Sequence, residues 1–476
     1  MRSRNDGSSE TERADIVIIG AGAAGLMCAA QLDLRQAGRA GRPAVGLLLE
    51  SGPQAGRKLL VSGSGQCNFT HAGPMREFVR HYGDHGRLIR RCLYRFGNRQ
   101  TVDFFEQNGL PTREREDGKI FPACMQAQAV RDLLLQKCRE NGWQLRTGFR
   151  VTELAESGGS SGAESVRSSG TKSSGSSDAE NGDCCGTESS VCRSWLINGR
   201  LRADHLVAAA GGCSYPGLGS DGAFADCLAG LGLALTERRP ALTPIFVEDY
   251  PFADCAGISF ETAEARLHPC AAAPFPANDG NIGSRLSEKK RDKNSRTARK
   301  ASGPLLLTHR GFSGPVILEL SRYAAPGARL ELVFWNGEEA DCRGVHRGLA
   351  HYLAEQTGLP RRFLARVIDL AGGDPAVSAA SASGRLVRKT FALLRGMPFR
   401  ISGLGGWKEA MVTAGGIDLG EVDLSTMECR AHPGLCLIGE ILDVDGDTGG
   451  YNLQFAFSSA AAAAAALRQK LQNGQR

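Results

Sequence analysis

The sequence predicts an α/β fold, in which a Rossmann-like dinucleotide-binding domain is interrupted by a β-rich domain carrying a small helical subdomain. Three observations predict it. Residues 14–19 (ADIVII) run straight into GAGAAG and then into an apolar-periodic stretch reaching Leu34, which is the order strand, tight turn, helix. A second apolar run, 45–49, ends on Glu50 and completes a β-α-β unit. After a helical pattern at 344–400 the chain returns to strands and glycines, so the first domain resumes behind an insertion. The expected division is 14–237 for the first part of the nucleotide-binding domain, 238–402 for the insertion and 403–476 for the C-terminal part.

Each element has a local reason. Gly20 permits the turn, Gly22 lets a pyrophosphate approach the helix N-terminus, and Gly25 lets helix and strand pack closely, with Ala23 and Ala24 adding little bulk between them. Glu50 stands where a carboxylate binds the ribose hydroxyls of an adenosine, and the insertion GRAGRP at 38–43 accounts for its distance from Gly25. A strand is expected over 144–154 and another over 194–197. Between them, 156–194 is rich in Ser and Gly and reads as a disordered loop, because it has too few large apolar residues to offset the entropy of ordering. In the insertion, strand-like segments at 258–267 and 305–308 flank an irregular basic segment, 270–303.

Length and composition bound the reading. A chain of 476 residues suggests two or three domains. Its 61 glycines are nearly twice the usual share of ~7%. The 15 cysteines show no paired CxxC spacing, so no metal is expected. Residues 1–13 lack the apolar stretch of a signal peptide, and no apolar run approaches the ~18 residues of a membrane span. The expectation is a soluble, cytoplasmic protein with reduced thiols and no membrane partner.

Further motifs sharpen the chemistry. In GRKLLVSGSGQCNFTH, residues 56–71, Arg57 and Lys58 are candidate counter-charges for a pyrophosphate, and Ser62, Gly63, Ser64 and Gly65 offer backbone N–H groups. Gln66, Cys67 and Asn68 complete the loop. Cys67 has no neighbouring cysteine before Cys92, so it reads as a small residue packed by the cofactor and not as half of a redox disulfide. LVAAAGG ends in Gly211 and Gly212, a strand that returns the chain to the cofactor. Near the C-terminus Glu440 is placed to bind a ribityl chain. The Gly449–Gly450 amides, followed by Tyr451, Asn452 and Leu453, open an alanine-rich helix whose N-terminus favours negative charge on a reduced flavin ring. Together these point to FAD. Gly217, Gly219 and Gly222 repeat the GxGxxG spacing, but a proline-bearing loop precedes them, so they read as a turn before a helix and not as a second nucleotide domain. Asp443, Asp445 and Asp447 read as a turn, not a calcium loop. His71, His309 and His432 show no nucleophile or carboxylate partner and read as surface or core residues.

The strings GAGAAGLMCA, GRKLLVSGSGQCNFTH, AAGGCSYPGLGSDG, LLLTHRGFSGPVILELSR, AMVTAGGIDLGEVDLSTMECR and GEILDVDGDTGGYNLQFAFSSA stand in order. With them the chain resembles the bacterial BaiN/RdsA-type NAD(P)/FAD-dependent oxidoreductases, also described as the aminoacetone oxidase family of FAD-binding enzymes. The resemblance implies a flavoprotein with two dinucleotide-binding motifs and an inserted β-domain. It also implies FAD contacts at Gly20, Gly22, Gly25, Glu50, Arg57, Lys58, residues 62–68, Val151 through its backbone, Glu440 and residues 449–453. Two departures stand out: the family pattern SGGGRCN here has Ser64 and Gln66, and the family loop TGSTGDGY is shortened to LGSDGAF.

The leading expectation is an FAD-dependent oxidoreductase acting on a small organic substrate between the two domains. Its electrons would come from transiently bound NAD(P)H, or from the substrate with oxygen as acceptor. No catalytic side chain and no oligomeric state follow from the sequence. The alternative is an RNA-binding or tRNA-modifying flavoprotein using residues 285–300. Their eight Lys/Arg against Glu288 and Asp292 equal the net charge of +6 of the whole chain. A solvated loop without interleaved aromatics is the preferred reading of that segment, so nucleic acid is not the expected partner. Heating the purified protein is expected to release FAD and not FMN, because only FAD has an adenosine ribose for Glu50. Recovery of FMN, or of no flavin from well-folded protein, contradicts the assignment.

Overall fold

The computed structural model describes residues 11–38, 42–157, 194–269 and 298–473. Strand β1 (Glu12–Ile19) turns at Gly20, where φ is +104°, into helix α1 (Ala23–Gln31), and the short α2 (Leu34–Ala37) leads to β2 (Gly46–Leu49). Next come α3 (Arg57–Val61), β3 (Thr70–His71), α4 (Met75–Phe78), α5 (Gly86–Arg95) and α6 (Asn98–Gln107). The hairpin β4 (Thr112–Glu114) and β5 (Lys119–Pro122), then α7 (Ala127–Glu140), precede β6 (Gln144–Arg146). The strand expected over 144–154 is two strands, β6 and β7 (Leu154–Ser157). The chain between them turns back along the end of β2, where the Phe149 and Gly148 N–H groups bond the carbonyls of Glu50 and Gly52.

β7 pairs with β8 (Ser194–Ile197), which pairs with β9 (Leu201–Ala208). The ends of the segment read as a disordered loop are therefore strand residues, and its remainder, 158–193, lies outside the described residues. After α8 (Ala223–Gly230) and β10 (Arg239–Ala241) the insertion builds a closed barrel. Its strands are β11 (Ile245–Val247), β12 (Ser259–His268), β13 (Arg299–Leu307), β14 (Gly311–Ser313), β15 (Arg329–Val333) and β16 (Met397–Leu404), in the order β11-β14-β13-β12-β15-β16. Residues 299–303, read as irregular, belong to β13 because they pair with β12 through Leu267↔Arg299 and Ala263↔Gly303. Most of the basic segment, 285–297, lies outside the described residues. Helix α9 (Pro315–Ser321) leaves the barrel directly after β14. Helices α10 (Leu349–Thr357), α11 (Arg361–Leu370) and α12 (Gly384–Arg395) form the appendage, and the helical pattern stops at β16, which closes the barrel against β11.

The chain then returns through β17 (Val412–Ala414), which pairs with β10. β18 (Val422–Asp423), β19 (Glu428–Cys429) and β20 (Leu435–Leu437) join the large sheet, and α13 (Tyr451–Asn473) ends the described chain. The large sheet runs β18-β19-β20-β9-β1-β2-β6, with the five strands from β20 to β6 parallel. β1 lies at its middle and buries Ile16, Val17 and Ile18 completely. A strand covered on both faces must be apolar at successive positions, which is why ADIVII does not alternate. No helix among the described residues is long and apolar enough to cross a membrane.

The sheet domain and the barrel have separate apolar cores. Besides the β10–β17 ladder, a buried ionic contact ties them together. Arg322, just after α9, donates through Nε to Asp445 at 2.5 Å, through Nη2 to the Asp445 carbonyl at 2.8 Å, and through Nη1 to Asp447. The side chains of Arg322 and Asp445 are 3% and 2% exposed. Removing one member of a buried pair strands the other without water. Arg322→Ala is expected to lower stability by about 3–5 kcal/mol in chemical denaturation, and a change of less than about 1 kcal/mol would show that water replaces the pair.

Candidate functional site

A cleft of about 790 Å³ opens between the sheet domain and the barrel. Its first wall is the β1–α1 turn. Gly20, Gly22, Ala23 and Ala24 line it. A β-carbon at Gly22 would meet nothing within 4 Å, so its backbone faces open space, which is the cradle a pyrophosphate requires. Gly25 does not line the cleft. A β-carbon there would stand 1.9 Å from the Gly20 carbonyl oxygen, so its smallness serves helix–strand packing.

At one end of the cleft Glu50 is held by its own neighbourhood. Its Oε2 accepts the Ala21 N–H at 3.1 Å and its Oε1 the Gly52 N–H at 2.8 Å. Phe149, Arg150 and Val151 line the same end. So does the turn carrying the second GxGxxG spacing: Leu218, Gly219, Ser220, Asp221 and Gly222 face the cleft, and Arg57 donates to the Gly217 carbonyl at 2.9 Å. That turn precedes a helix, as its proline context indicates, and it also covers the first nucleotide motif, which its local pattern does not reveal.

In the middle lie Arg57, Lys58, Ser62, Gly63, Ser64, Gln66 and Asn68. Lys58, read as a counter-charge for pyrophosphate, instead pairs with Glu440 at 2.6 Å and donates to Ser214. Glu440 in turn accepts from Ser214 at 3.0 Å and from the Thr413 N–H at 2.8 Å, so its carboxylate is a junction of three segments at the cleft floor. Ser64 holds φ +56°, a left-handed backbone that costs a non-glycine residue about 1–2 kcal/mol. The glycine of the family pattern at this position has that conformational reason. Gly211 lines the cleft, whereas Gly212 lies behind it, against Thr413 and Glu440. Gly65 and Cys67 also stand off the wall. Cys67 is fully buried, its thiol is pushed up to about 12 by that burial, and the described cysteines are all free. A thiol held protonated is a poor nucleophile.

The C-terminal wall is the loop before α13. Gly449, Gly450, Asn452 and Leu453 line the cleft with Asp447 and Thr448. A β-carbon at Gly450 would meet the Thr70 backbone at 2.6 Å, and Asn452 ties the loop by accepting the Gly446 N–H at 2.8 Å. Tyr451, expected at the cofactor, turns away from the wall. Its ring stacks on His81 at 4.0 Å and on His71 at 5.3 Å, so His71 packs in this cluster. The three aspartates of the loop are all engaged: Asp443 accepts from Thr236 and the Gly415 N–H, Asp445 and Asp447 bind Arg322, and Asp447 also meets His81 at 2.9 Å. Thr448 donates to Glu319 of α9 at 3.0 Å, and burial with the nearby Asp447 charge raises the Glu319 carboxyl above its usual range. His432 sits far from this wall, between Glu156 and the Leu231 carbonyl.

The opposing wall belongs to the inserted barrel and is largely apolar: Leu242, Leu306, Pro315 and Leu318, with Met411 and Val412 from the returning chain. Arg115, Lys119 and Phe121 of the β4–β5 hairpin also line the cleft, with the Arg115 guanidinium 5.5 Å from the centre of the Phe121 ring and Lys119 paired with Asp117 at 2.7 Å. These residues carry no local signature, and only the fold brings them to the cleft. The whole arrangement fits FAD, with a carboxylate for the ribose at one end, open glycine backbone for the pyrophosphate, and a glycine-lined helix N-terminus at the other.

Comparison with known proteins agrees. The model of the HI0933-like protein Rossmann domain matches residues 14–176 and 186–466. The chain is 30% identical over 460 residues to the ribosomal RNA dihydrouridine synthase of Escherichia coli (strain K12), covering 95% of this chain and 98% of the relative. It is 27% identical to the 3-dehydro-bile acid delta(4,6)-reductase of Clostridium scindens, covering 93% and 96%. It is also 27% identical to the ribosomal RNA dihydrouridine synthase of Haemophilus influenzae, covering 95% and 98%.

Two glycines three residues apart, Gly22 and Gly25, separate binding from folding. Gly22→Val fills open cleft, so the variant is expected to fold with the melting temperature of the flavin-free wild-type protein and to retain less than a tenth of the flavin. Gly25→Ala drives a methyl into the Gly20 carbonyl and is expected to cost about 1–3 kcal/mol or more of stability. Full flavin in folded Gly22→Val, measured by absorbance after gel filtration, would show that the pyrophosphate lies elsewhere.

Proposed function

The chain belongs to the HI0933-like family, a family of FAD-dependent oxidoreductases, and on that premise we propose that it reduces a carbon–carbon double bond conjugated to a carbonyl. The carrying observation is the asymmetry of the cleft. One wall is glycine backbone and carboxylate suited to a dinucleotide, and the other is the apolar surface of Leu242, Leu306, Leu318 and Met411. An apolar wall excludes water and accepts a flat, uncharged ring. The relatives' names support the reaction class. Dihydrouridine arises by saturating the double bond of a uracil ring, and a delta(4,6)-reductase acts on double bonds conjugated to a ketone.

FAD, when bound, supplies the hydride and this chain supplies its setting. Gly22 and the cleft-lining Ser62, Gly63, Ser64, Gln66 and Asn68 would hold the phosphates and the ring system, and Glu50 would hold the adenosine ribose. The Gly449 and Gly450 amides at the start of α13 favour the negative charge of the reduced cofactor. Arg115 and Lys119 line the cleft and share Asp117, at 3.9 and 2.7 Å, which leaves a net positive charge that favours a carbonyl oxygen gaining negative charge as its conjugated double bond is reduced. Electrons enter from NAD(P)H bound transiently at the same cleft, since the turn at Gly217, Gly219 and Gly222 is not a second nucleotide domain.

Anaerobic NADPH or NADH is expected to bleach the yellow protein. A cyclic enone should then restore the colour at least ten times faster than its saturated ketone. Bleaching by amines or hydroxy acids, with no reoxidation by any enone, would make the protein a substrate oxidase and defeat the proposal.

A further inference from the structure

Reducing a carbon–carbon double bond takes a proton as well as a hydride, and the carboxylates that line the cleft are already engaged. Glu50 accepts two backbone N–H groups, Glu440 pairs with Lys58, Asp221 with Arg150, and Asp447 with Arg322 and His81. Glu319 differs. Among the described residues its hydrogen-bond partner is the Thr448 hydroxyl, at 3.0 Å, and no Lys, Arg or His nitrogen comes within 4.0 Å of its carboxyl.

This pair sits where the two walls meet. Thr448 lines the cleft beside Gly449 and Gly450, whose amides are proposed to face the reduced cofactor. Glu319 lies on α9 between Leu318, a residue of the apolar wall, and Leu320, which is buried in the barrel core. Glu319 is itself half-buried and does not line the cleft, so Thr448 stands between its carboxyl and the cleft. A hydroxyl both donates and accepts, so it can hand on one proton while it takes another.

Burial raises the Glu319 carboxyl above its usual range, and the Asp447 charge adds to this. The Thr448 hydrogen bond and the His81 and Arg322 charges act the other way without cancelling it. The Tyr451 phenol, raised mainly by burial, also feels the Glu319 charge. A carboxyl raised in this way keeps its proton closer to neutral pH than an exposed one, which is what a general acid requires.

We propose that Glu319 is the proton source for the reduction and acts through the Thr448 hydroxyl. This rests on the reading that the cleft reduces a conjugated double bond. The hydride supplied by reduced FAD forms the C–H bond at the β-carbon, and the electron pair of the double bond passes to the α-carbon and its carbonyl. The α-carbon takes the Thr448 hydroxyl proton, and the Glu319 O–H breaks as its proton replaces the one given up. The substrate is reduced, the flavin is oxidised, and the Glu319 carboxylate regains a proton from water. Thr448 meets the substrate, and Glu319 positions and refills it.

The test uses full-length FAD-loaded protein, reduced anaerobically with dithionite and mixed with a cyclic enone from about pH 5 to about pH 9. Wild-type reoxidation is expected to be level at the acid end and to fall about tenfold per pH unit beyond a single break, placed above the ~4.3 of a free glutamate. Glu319→Gln keeps the side chain's size and a hydrogen bond to Thr448. It and Thr448→Val should each slow reoxidation at least about tenfold at the acid end and abolish the break, and Thr448→Ser should restore both. In the resting protein, the infrared band of a protonated carboxyl, present in wild type and missing from Glu319→Gln, should vanish at the pH of the break. Flavin content should stay at the wild-type value in all variants. An unchanged break in Glu319→Gln, or a carboxyl band already lost in the ordinary carboxylate range, overturns the relay and leaves the cleft reading standing. A loss in Tyr215→Phe but in neither Glu319→Gln nor Thr448→Val would move the source to that cleft-lining phenol and overturn the relay as well. No reoxidation of the wild-type protein by any enone at any pH defeats the cleft reading, and the relay with it.

Discussion

Helix α1 approaches β1 so closely that no β-carbon fits between them, and the rest of the site is arranged around that approach. Gly25 lies against the Gly20 carbonyl, and Gly20 lies against the backbone of Ala209 and Ala210 at the end of β9. The two contacts bring the first turn of α1 and the ends of β1 and β9 into one small volume. The N-terminal amides of α1 therefore face the cleft, and Gly22 is left as bare backbone at its edge. A helix N-terminus set this way favours an anionic group through its unpaired N–H donors and its dipole. Larger residues at Gly20 or Gly25 would push the helix outward and turn this donor set away.

The inserted barrel supplies what the sheet domain lacks. A nucleotide fold with its ligand site at the ends of its strands leaves that site open to water on one side. Here the barrel covers it with Leu242, Leu306, Pro315 and Leu318, and two fastenings hold the barrel in place: the β10–β17 ladder and the Arg322 contact with Asp445 and Asp447. The second fastening lies directly under the loop that forms the C-terminal wall. The same loop thus touches the barrel through its aspartates and the cleft through Thr448, Gly449 and Gly450. Domain position and site shape are mechanically linked at these residues.

The polar network on the cleft floor has a comparable double role. Glu440 joins Lys58, Ser214 and the Thr413 amide, three segments that would otherwise meet only through the ligand. A carboxylate so engaged rigidifies the floor, because each of its partners is part-buried and has little water to replace the bond. Cys67 contributes packing alone. The family embraces relatives named for a ribosomal RNA and for a bile acid.

The nucleotide half of this site is legible in the sequence because its determinants are local. Strand, glycine turn, helix and terminal acid occupy residues 14–50, and their spacing alone specifies what each must do. The closing Gly449–Gly450 turn is legible for the same reason, as are the insertion and its helical appendage, from changes of period. The partners of Lys58 and Arg322 are not legible, since they lie 382 and up to 125 residues away and pair through folding. The outward turn of Tyr451 is equally hidden, because a ring's direction depends on the aromatic neighbours His71, Phe78 and His81 that other elements bring to it. The sequence by itself determines the β-α-β unit, the cofactor and the family. The second wall, the buried fastening and the pairing of Glu319 with Thr448 are decided only by tertiary structure, because burial and charge pairing depend on which distant segments meet.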